Sequence, residues 1–363
     1  MAINDAKMQY DRMKEVKEFD ESKIGVKGLA DSGVSYIPRF FVHPSESLTG
    51  FIPSSASINA VPVVSLSGSH SDRRREVVRE IREAARTWGF FQVIDHGIHE
   101  LILNQTIAAI KSFHEQPVEI KKQFYRRDER CNVLYAPNLD LTRSKAASWG
   151  DTIYVRLGSN PSELDRVPAV CRKEVVAWAE HVKELAETLM ELLCEGLGVR
   201  PGKLKELRCL ERMAVVGHYY PHCPQPHLTM GIPSHTDPSV LSVLLQNQIE
   251  GLQVRHGEDW VGVKPLPGAL VINIGDFLQI LSNDEYKSSV HRVIGNRFWE
   301  PRTTVATFFN ASHRDDSEYY GPLEELLSPE RPAVYRKFLI SEFKNKFFSK
   351  ELADNHLVDH FKL

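Results

Sequence analysis

Disulfide chemistry is the first thing this sequence is too poor to support. Its five cysteines, Cys131, Cys171, Cys194, Cys209 and Cys223, are odd in number, scattered, and form no C-x-x-C pair. Such usage points to free thiols in a reducing compartment and predicts a cytoplasmic protein. No uninterrupted apolar run approaches the ~20 residues that cross a bilayer, so no membrane span is expected. The opening Met1-Ala2-Ile3-Asn4-Asp5 lacks an apolar core segment, which predicts no secretory signal. Basic excess is missing as well. Forty-five Lys and Arg stand against 48 Asp and Glu, a net charge of −3, so no nucleic-acid partner is expected. The run Arg73-Arg74-Arg75 is followed by Glu76, Glu80 and Glu83 and reads as a solvated helix face. No fixed-period repeat occurs, which disfavours a solenoid or propeller.

What is present suits an ordinary globular chain. Hydrophobic residues make up 42% and charged residues 26% of the 363 positions, ample for a core. A polar opening (a short helix from Met8 to Phe19) and a glycine-punctuated stretch, Gly25 to Gly33, read as a turn-rich arm over residues 1–60, packed on the body. Residues 61–205 read as helix-rich. Strand signals at Val61 to Leu66 and Phe90 to Asp95 alternate with helical patterns, among them Val77, Ile81, Ala84, Ala85 and Trp88. Lys173 to Leu197 carries a broad apolar stripe stopped by Gly198. From 206 to 325 the texture changes to many short strands between Gly, Pro and Asn turns. That texture predicts an α+β protein whose core is a jelly-roll, cupin-like double sheet flanked by helices. Residues 326–363 return to a helical pattern rich in Phe, read as a closing helix and tail over the barrel rim.

The chemistry concentrates at His235-Thr236-Asp237. In an extended strand, residues i and i+2 share a face, so an imidazole and a carboxylate are aimed into one space. His291, far downstream, supplies a third donor. Neutral imidazole and carboxylate suit Fe(II), Zn or Mn, and two His and one carboxylate with positions left open opposite is the ligand set of non-haem Fe(II) oxygenases. Thiolates are absent from the set, which argues against structural zinc. Arg302 and Thr304, on a strand just after His291, are again i and i+2. An Arg held inside an apolar barrel is costly unless paired. A dicarboxylate would pair it through bidentate contacts, with the Thr304 hydroxyl as a further donor. Triad and clamp together describe a 2-oxo acid that meets iron at one end and Arg302 at the other.

Ordered stretches along nearly the whole chain carry a resemblance. They include Gly25-Val26-Lys27-Gly28-Leu29, Trp88-Gly89-Phe90-Phe91-Gln92-Val93, Tyr219-Tyr220-Pro221-His222-Cys223-Pro224-Gln225-Pro226 and His235-Thr236-Asp237. Further on come Gly251-Leu252-Gln253-Val254, Asn273-Ile274-Gly275-Asp276 and His291-Arg292-Val293. The chain resembles plant 2-oxoglutarate/Fe(II)-dependent dioxygenases. More narrowly, it is similar to the 1-aminocyclopropane-1-carboxylate oxidase homologue group of specialised metabolism. The resemblance implies a double-stranded β-helix, Fe(II) on His235, Asp237 and His291, and 2-oxoglutarate on Arg302 and Thr304. It also puts Tyr220 where a phenol binds the distal carboxylate. Two positions depart from the pattern. Arg-Thr-Thr replaces the usual Arg-x-Ser, which keeps the hydroxyl. His218 stands where Asn is frequent, and three roles stay open for it: a hydrogen bond near the cosubstrate, tuning of iron, or plain strand packing.

The implied reaction consumes O2 and 2-oxoglutarate, releases succinate and CO2, and hydroxylates a small plant metabolite, with ascorbate as reductant. Desaturation, ring closure and O-demethylation are open alternatives within the family. Ethylene formation from 1-aminocyclopropane-1-carboxylate and a non-catalytic metal-binding cupin-like protein are others. Substrate-pocket candidates are Tyr135, Tyr154, Phe309, Phe347 and Phe348. A monomer is expected.

Overall fold

The structure, a computed structural model, describes residues 10–50, 60–128, 130–139, 141–142, 144–157, 165–312, 318–349 and 356–363. The outer parts of the expected arm, residues 1–9 and 51–59, and of the tail, residues 350–355, lie outside the described residues.

Two sheets face each other. The larger contains β1 (Val63–Ser65), β2 (Phe90–Ile94), β3 (Val133–Ala136), β4 (Asp151–Leu157) and β5 (Arg212–Tyr220). The smaller begins with β6 (Met230–His235), and β7 (Leu241–Gln246) returns to the larger. Next come β8 (Leu252–His256) and β9 (Asp259–Gly262) in the smaller sheet and β10 (Leu270–Ile274) in the larger. Finally β11 (His291–Ile294) joins the smaller sheet and β12 (Arg302–Asn310) the larger. Strand order is β1-β2-β10-β7-β12-β5-β4-β3 in the larger sheet and β6-β11-β8-β9 in the smaller. Among the described strands only β1 and β2 pair in parallel. This is the expected double-stranded β-helix with helices around it. Strands β1 to β4 precede the expected boundary between 205 and 206 and belong to the same sheet as β5, β7, β10 and β12.

Strand parity divides the larger sheet into two faces. Outward go Val215, Val305 and Phe309, into the main core with α3 (Arg74–Thr87), α4 (Glu100–His114) and α6 (Ala169–Leu197). In this helix layer α6 buries Val175, Trp178, Val182, Leu185, Leu189 and Leu193, the stripe legible in its sequence. The Trp178 indole donates to Thr307 Oγ1 at 2.9 Å, tying α6 to β12. Inward go Phe90, Val271 and Tyr220, meeting Leu252, Val254, Val261 and Val293 of the smaller sheet.

The arm corrects one expectation. Gly25–Asp31 is helical (α2), following α1 (Arg12–Ser22). Its first amides have a partner that local sequence does not show. The buried Asp151 carboxylate on β4 accepts from Val26 N at 2.8 Å and Lys27 N at 2.9 Å. Phe19, Phe40 and Phe41 then pack on Trp149 and Leu141. The single-turn helices α5 (Val118–Lys121) and α7 (Lys203–Glu206) connect larger elements. After β10 comes α8 (Asp276–Leu281), and near the end α9 (Ile340–Ser349). The closing helix starts later than its Phe pattern suggests, because Tyr335 and Phe338 precede it. Phe277 of α8 packs with Phe338 and Phe343 edge-on, at 5.8 and 5.3 Å, so α9 docks on the helix-side core.

His114 on α4 is a structural histidine with a pH signature. It is fully buried, donates Nε2–H to the Gly217 carbonyl at 3.1 Å and stacks on Tyr219. Burial, aided by the nearby Lys121, pushes its pKa down from 6.5 to about 3. The unfolded chain therefore binds a proton below pH 6.5 that the folded protein refuses until about pH 3. Its contribution is whole above pH 6.5 and is lost as pH falls below it. Across that window wild-type stability is expected to fall by up to about 1.4 kcal/mol per pH unit more than that of His114→Gln. Denaturant melts from pH 7 to 5 check this; parallel curves for the two proteins would refute it.

Candidate active site

The three expected metal donors converge. Strand β6 ends at His235, so Asp237 lies in the turn beyond it and not on the extended strand that i, i+2 spacing suggested. Pairing of β11 with β6 sets His291 directly opposite His235. His235 Nε2 lies 3.5 Å and His291 Nε2 3.6 Å from Asp237 Oδ1, and the three ligand atoms are all within 4.8 Å of one another.

Their outer atoms are committed elsewhere. His235 Nδ1 bonds the Pro233 carbonyl at 2.9 Å, and His291 Nδ1 that of Ser289 at 3.1 Å. Each Nδ1 is thus the protonated donor, and each Nε2 turns a lone pair inward. Asp237 Oδ2 accepts from Ser242 Oγ at 2.7 Å and Asn273 Nδ2 at 2.6 Å, which leaves Oδ1 for the centre. The turn itself is tied down. Asp276 N donates to the Asp237 carbonyl at 2.8 Å, and Thr236 Oγ1 to Asp276 Oδ2 at 3.0 Å. Gly275 is needed here, because a Cβ would lie 1.8 Å from the Ser239 carbonyl oxygen.

Electrostatics follow from burial and proximity. Burial works to raise the Asp237 carboxyl, but His291 and His235 outweigh it and hold it below the usual range. Burial, with His235 beside it, pushes His291 down to about 4. Burial opposes the charging of His235, yet the Asp237 carboxylate beside it raises its pKa. A set of two inward imidazole lone pairs and one ionised oxygen fits a divalent first-row metal.

The residues expected to clamp a dicarboxylate lie on the inner face of the same barrel. Arg302 pairs with Tyr220, and Thr304 with both His218 and Gln246. Arg302 is 1% exposed, and burial lowers its pKa. Its guanidinium lies over the Tyr220 ring at 5.3 Å and donates Nη2–H to Gln246 Oε1 at 3.0 Å. Among the described residues it has no carboxylate partner. His218 Nδ1 is 3.0 Å from Thr152 Oγ1. Burial and the charge of Arg302 press its pKa down to about 3, so the ring is neutral. Burial raises the Tyr220 phenol, which keeps its proton as a donor.

The expected pocket aromatics separate. Tyr154 opposes Val216 and shares the inner face with His218. Tyr135 and Phe309 are corrections. Both belong to the helix-side core, where Tyr135 packs edge-on against Phe113 at 5.6 Å. Phe309 differs from Arg302 by an odd number of residues, so it faces away, and Phe308 takes the inner face. Phe347 packs against the helix-side core, and Phe348 is 49% exposed. Sequence reading also passed over Ser242, Asn273 and Gln246. The available signal was polar side chains at same-parity positions in otherwise apolar strands.

Barrel, convergent triad and buried Arg define a class of oxygenase, and comparison with known proteins agrees. Residues 211–311 match the 2OG-Fe(II) oxygenase superfamily, and residues 61–173 match the non-haem dioxygenase in morphine synthesis N-terminal family. The chain belongs to the 2OG-Fe(II) oxygenase superfamily, and is a dioxygenase dependent on Fe(II) and 2-oxoglutarate. Within it, the chain falls in the plant 1-aminocyclopropane-1-carboxylate oxidase homologue group. Homolog 5 of Arabidopsis thaliana is 45% identical over 359 residues, covering 97% of this chain and 90% of that protein. The homolog of Solanum lycopersicum is 41% identical over 363 residues, covering 98% of each. The crystal structure of JOX2 in complex with 2OG, Fe and JA superposes with a TM-score of 0.80. It is 28% identical, covering 93% of this chain and 97% of that one.

Proposed function

We propose that His235, Asp237 and His291 hold Fe(II), that Arg302, Thr304, Tyr220 and His218 seat 2-oxoglutarate, and that the enzyme hydroxylates a small plant specialised metabolite. The carrying observation is the buried Arg302, without a carboxylate partner among the described residues, on the inner face of the barrel that gathers the triad. Bound iron supplies the oxidising chemistry, with release of succinate and CO2. The protein's own part is orientation and exclusion of water. The backbone carbonyls of Pro233 and Ser289 aim both imidazoles, Ser242 and Asn273 aim the carboxylate, and Arg302 with Thr304 orients the cosubstrate. Tyr154, Phe308 and Phe90, whose ring is 4.9 Å from His291, face the substrate.

The same reading takes the enzyme as a cytoplasmic monomer that uses ascorbate as reductant and binds no nucleic acid. Five free cysteines and a net charge of −3 support it. Among the described residues no helix is long and apolar enough to cross a membrane.

The test is a screen of plant metabolites with Fe(II), ascorbate and 2-oxoglutarate, read by mass and by succinate release. Gain of one oxygen with equimolar succinate is expected. Loss of two hydrogens or of a methylene would replace hydroxylation by desaturation or demethylation. Turnover without succinate would overturn the 2-oxoglutarate role.

A further inference from the structure

Gln246, at the end of β7, has an amide whose orientation is dictated by chemistry. It is 7% exposed and lies 3.0 Å from Arg302 Nη2. A guanidinium has donors only, so the Gln246 oxygen must face it. The amide nitrogen is then turned the other way, buried, with two N–H groups and no partner among the described residues. Arg302 Nε is also buried and unpartnered. Gly251 closes over this end of Arg302, where a Cβ would lie 2.9 Å from Arg302 Cδ. A register of Gln246 opposite Thr304, and Thr304 opposite His218, sets amide, hydroxyl and guanidinium on one inner face.

Buried polar groups in native proteins are normally satisfied. Orphaned donors around one cation, with the Gln246 oxygen already used, call for a ligand that brings lone pairs and negative charge. We propose that Gln246 is a cosubstrate-binding residue. Its carbonyl locks the Arg302 fork, and its amide N–H donates to the distal carboxylate of 2-oxoglutarate. This rests on the assignment of Arg302 to that carboxylate, and it adds an amide donor to the Thr304 hydroxyl and the Tyr220 phenol.

The probes are 2-oxoglutarate and 2-oxopentanoate, a 2-oxo acid of the same chain length without the distal carboxylate. Each is titrated calorimetrically into the Mn(II)-loaded full-length protein, so no turnover is needed. Gln246→Met is expected to weaken 2-oxoglutarate by about 10- to 100-fold, the range of a hydrogen bond to a charged group. It should leave 2-oxopentanoate unchanged. Gln246→Glu keeps the acceptor for Arg302 but adds a charge that repels the distal carboxylate. It should weaken 2-oxoglutarate further, while its thermal midpoint without ligand equals or exceeds wild type because Arg302 gains a counterion. Equal weakening of both acids by Gln246→Met, or of neither, would overturn the proposal. Arg302→Met separates the two levels. If it abolishes the preference for 2-oxoglutarate while Gln246→Met does not, the seat stands and Gln246 is outside it. If neither variant changes the preference, the seat itself is elsewhere.

Discussion

Asp237→Asn is expected to yield a folded protein that neither retains Fe(II) nor turns over 2-oxoglutarate. The carboxylate is the one ionised oxygen that the two imidazoles face, at 3.5 and 3.6 Å. Its amide isostere keeps shape but removes the charge that attracts a divalent cation. Folding should survive, since Asn still offers an oxygen to Ser242 or Asn273. Asp237→Ala removes that acceptor as well and leaves buried donors unpaired, which costs about 1–3 kcal/mol per group. Comparing the two variants separates metal loss from destabilisation. Metal content after anaerobic reconstitution, thermal melts and succinate release are the measurements. Stoichiometric iron in Asp237→Asn together with wild-type turnover would remove Asp237 from the ligand set.

Arg302→Ala carries the second large effect. A buried guanidinium that meets a carboxylate in an enclosed site is worth about 2–5 kcal/mol when the pair is broken. That corresponds to a rise in the 2-oxoglutarate requirement of about 30-fold or more. The apo protein should suffer little, because deleting a buried cation that lacks a carboxylate partner also deletes its desolvation cost. Thr304→Ser is the matched control, since it keeps the hydroxyl and should change the requirement only mildly. An Arg302→Ala enzyme with an unaltered 2-oxoglutarate dependence would place the distal carboxylate elsewhere in the barrel.

Helix α6, the cluster of His235, Asp237 and His291 and the buried Arg302 were legible because each depends on local pattern or residue type. A 3.6-residue apolar stripe specifies one buried helix face wherever it docks. An imidazole–carboxylate–imidazole set has its chemistry whatever fold delivers it. The α2 helix was not legible, because its amides find their acceptor at Asp151, far away in sequence. Tyr135 was misplaced for a related reason. Both faces of the larger sheet are buried, so hydrophobicity along Val133–Ala136 does not say which face meets the helices. Phe309 was a different case. Counting by twos from Arg302 already put Phe308 inside, and that rule was available from the sequence.

By itself, the sequence determined the two imidazoles and the carboxylate, the arginine on the strand after His291 and the helices that cover the barrel, since these rest on residue chemistry and short periods. The tertiary structure decided which strands become neighbours. Only that pairing sets His291 opposite His235 and Gln246 beside Arg302. It also turns the hydroxyl of Ser242 and the amide of Asn273 onto one oxygen of Asp237. Register between distant strands follows from the packing of two whole faces, and no local stretch of chain encodes it.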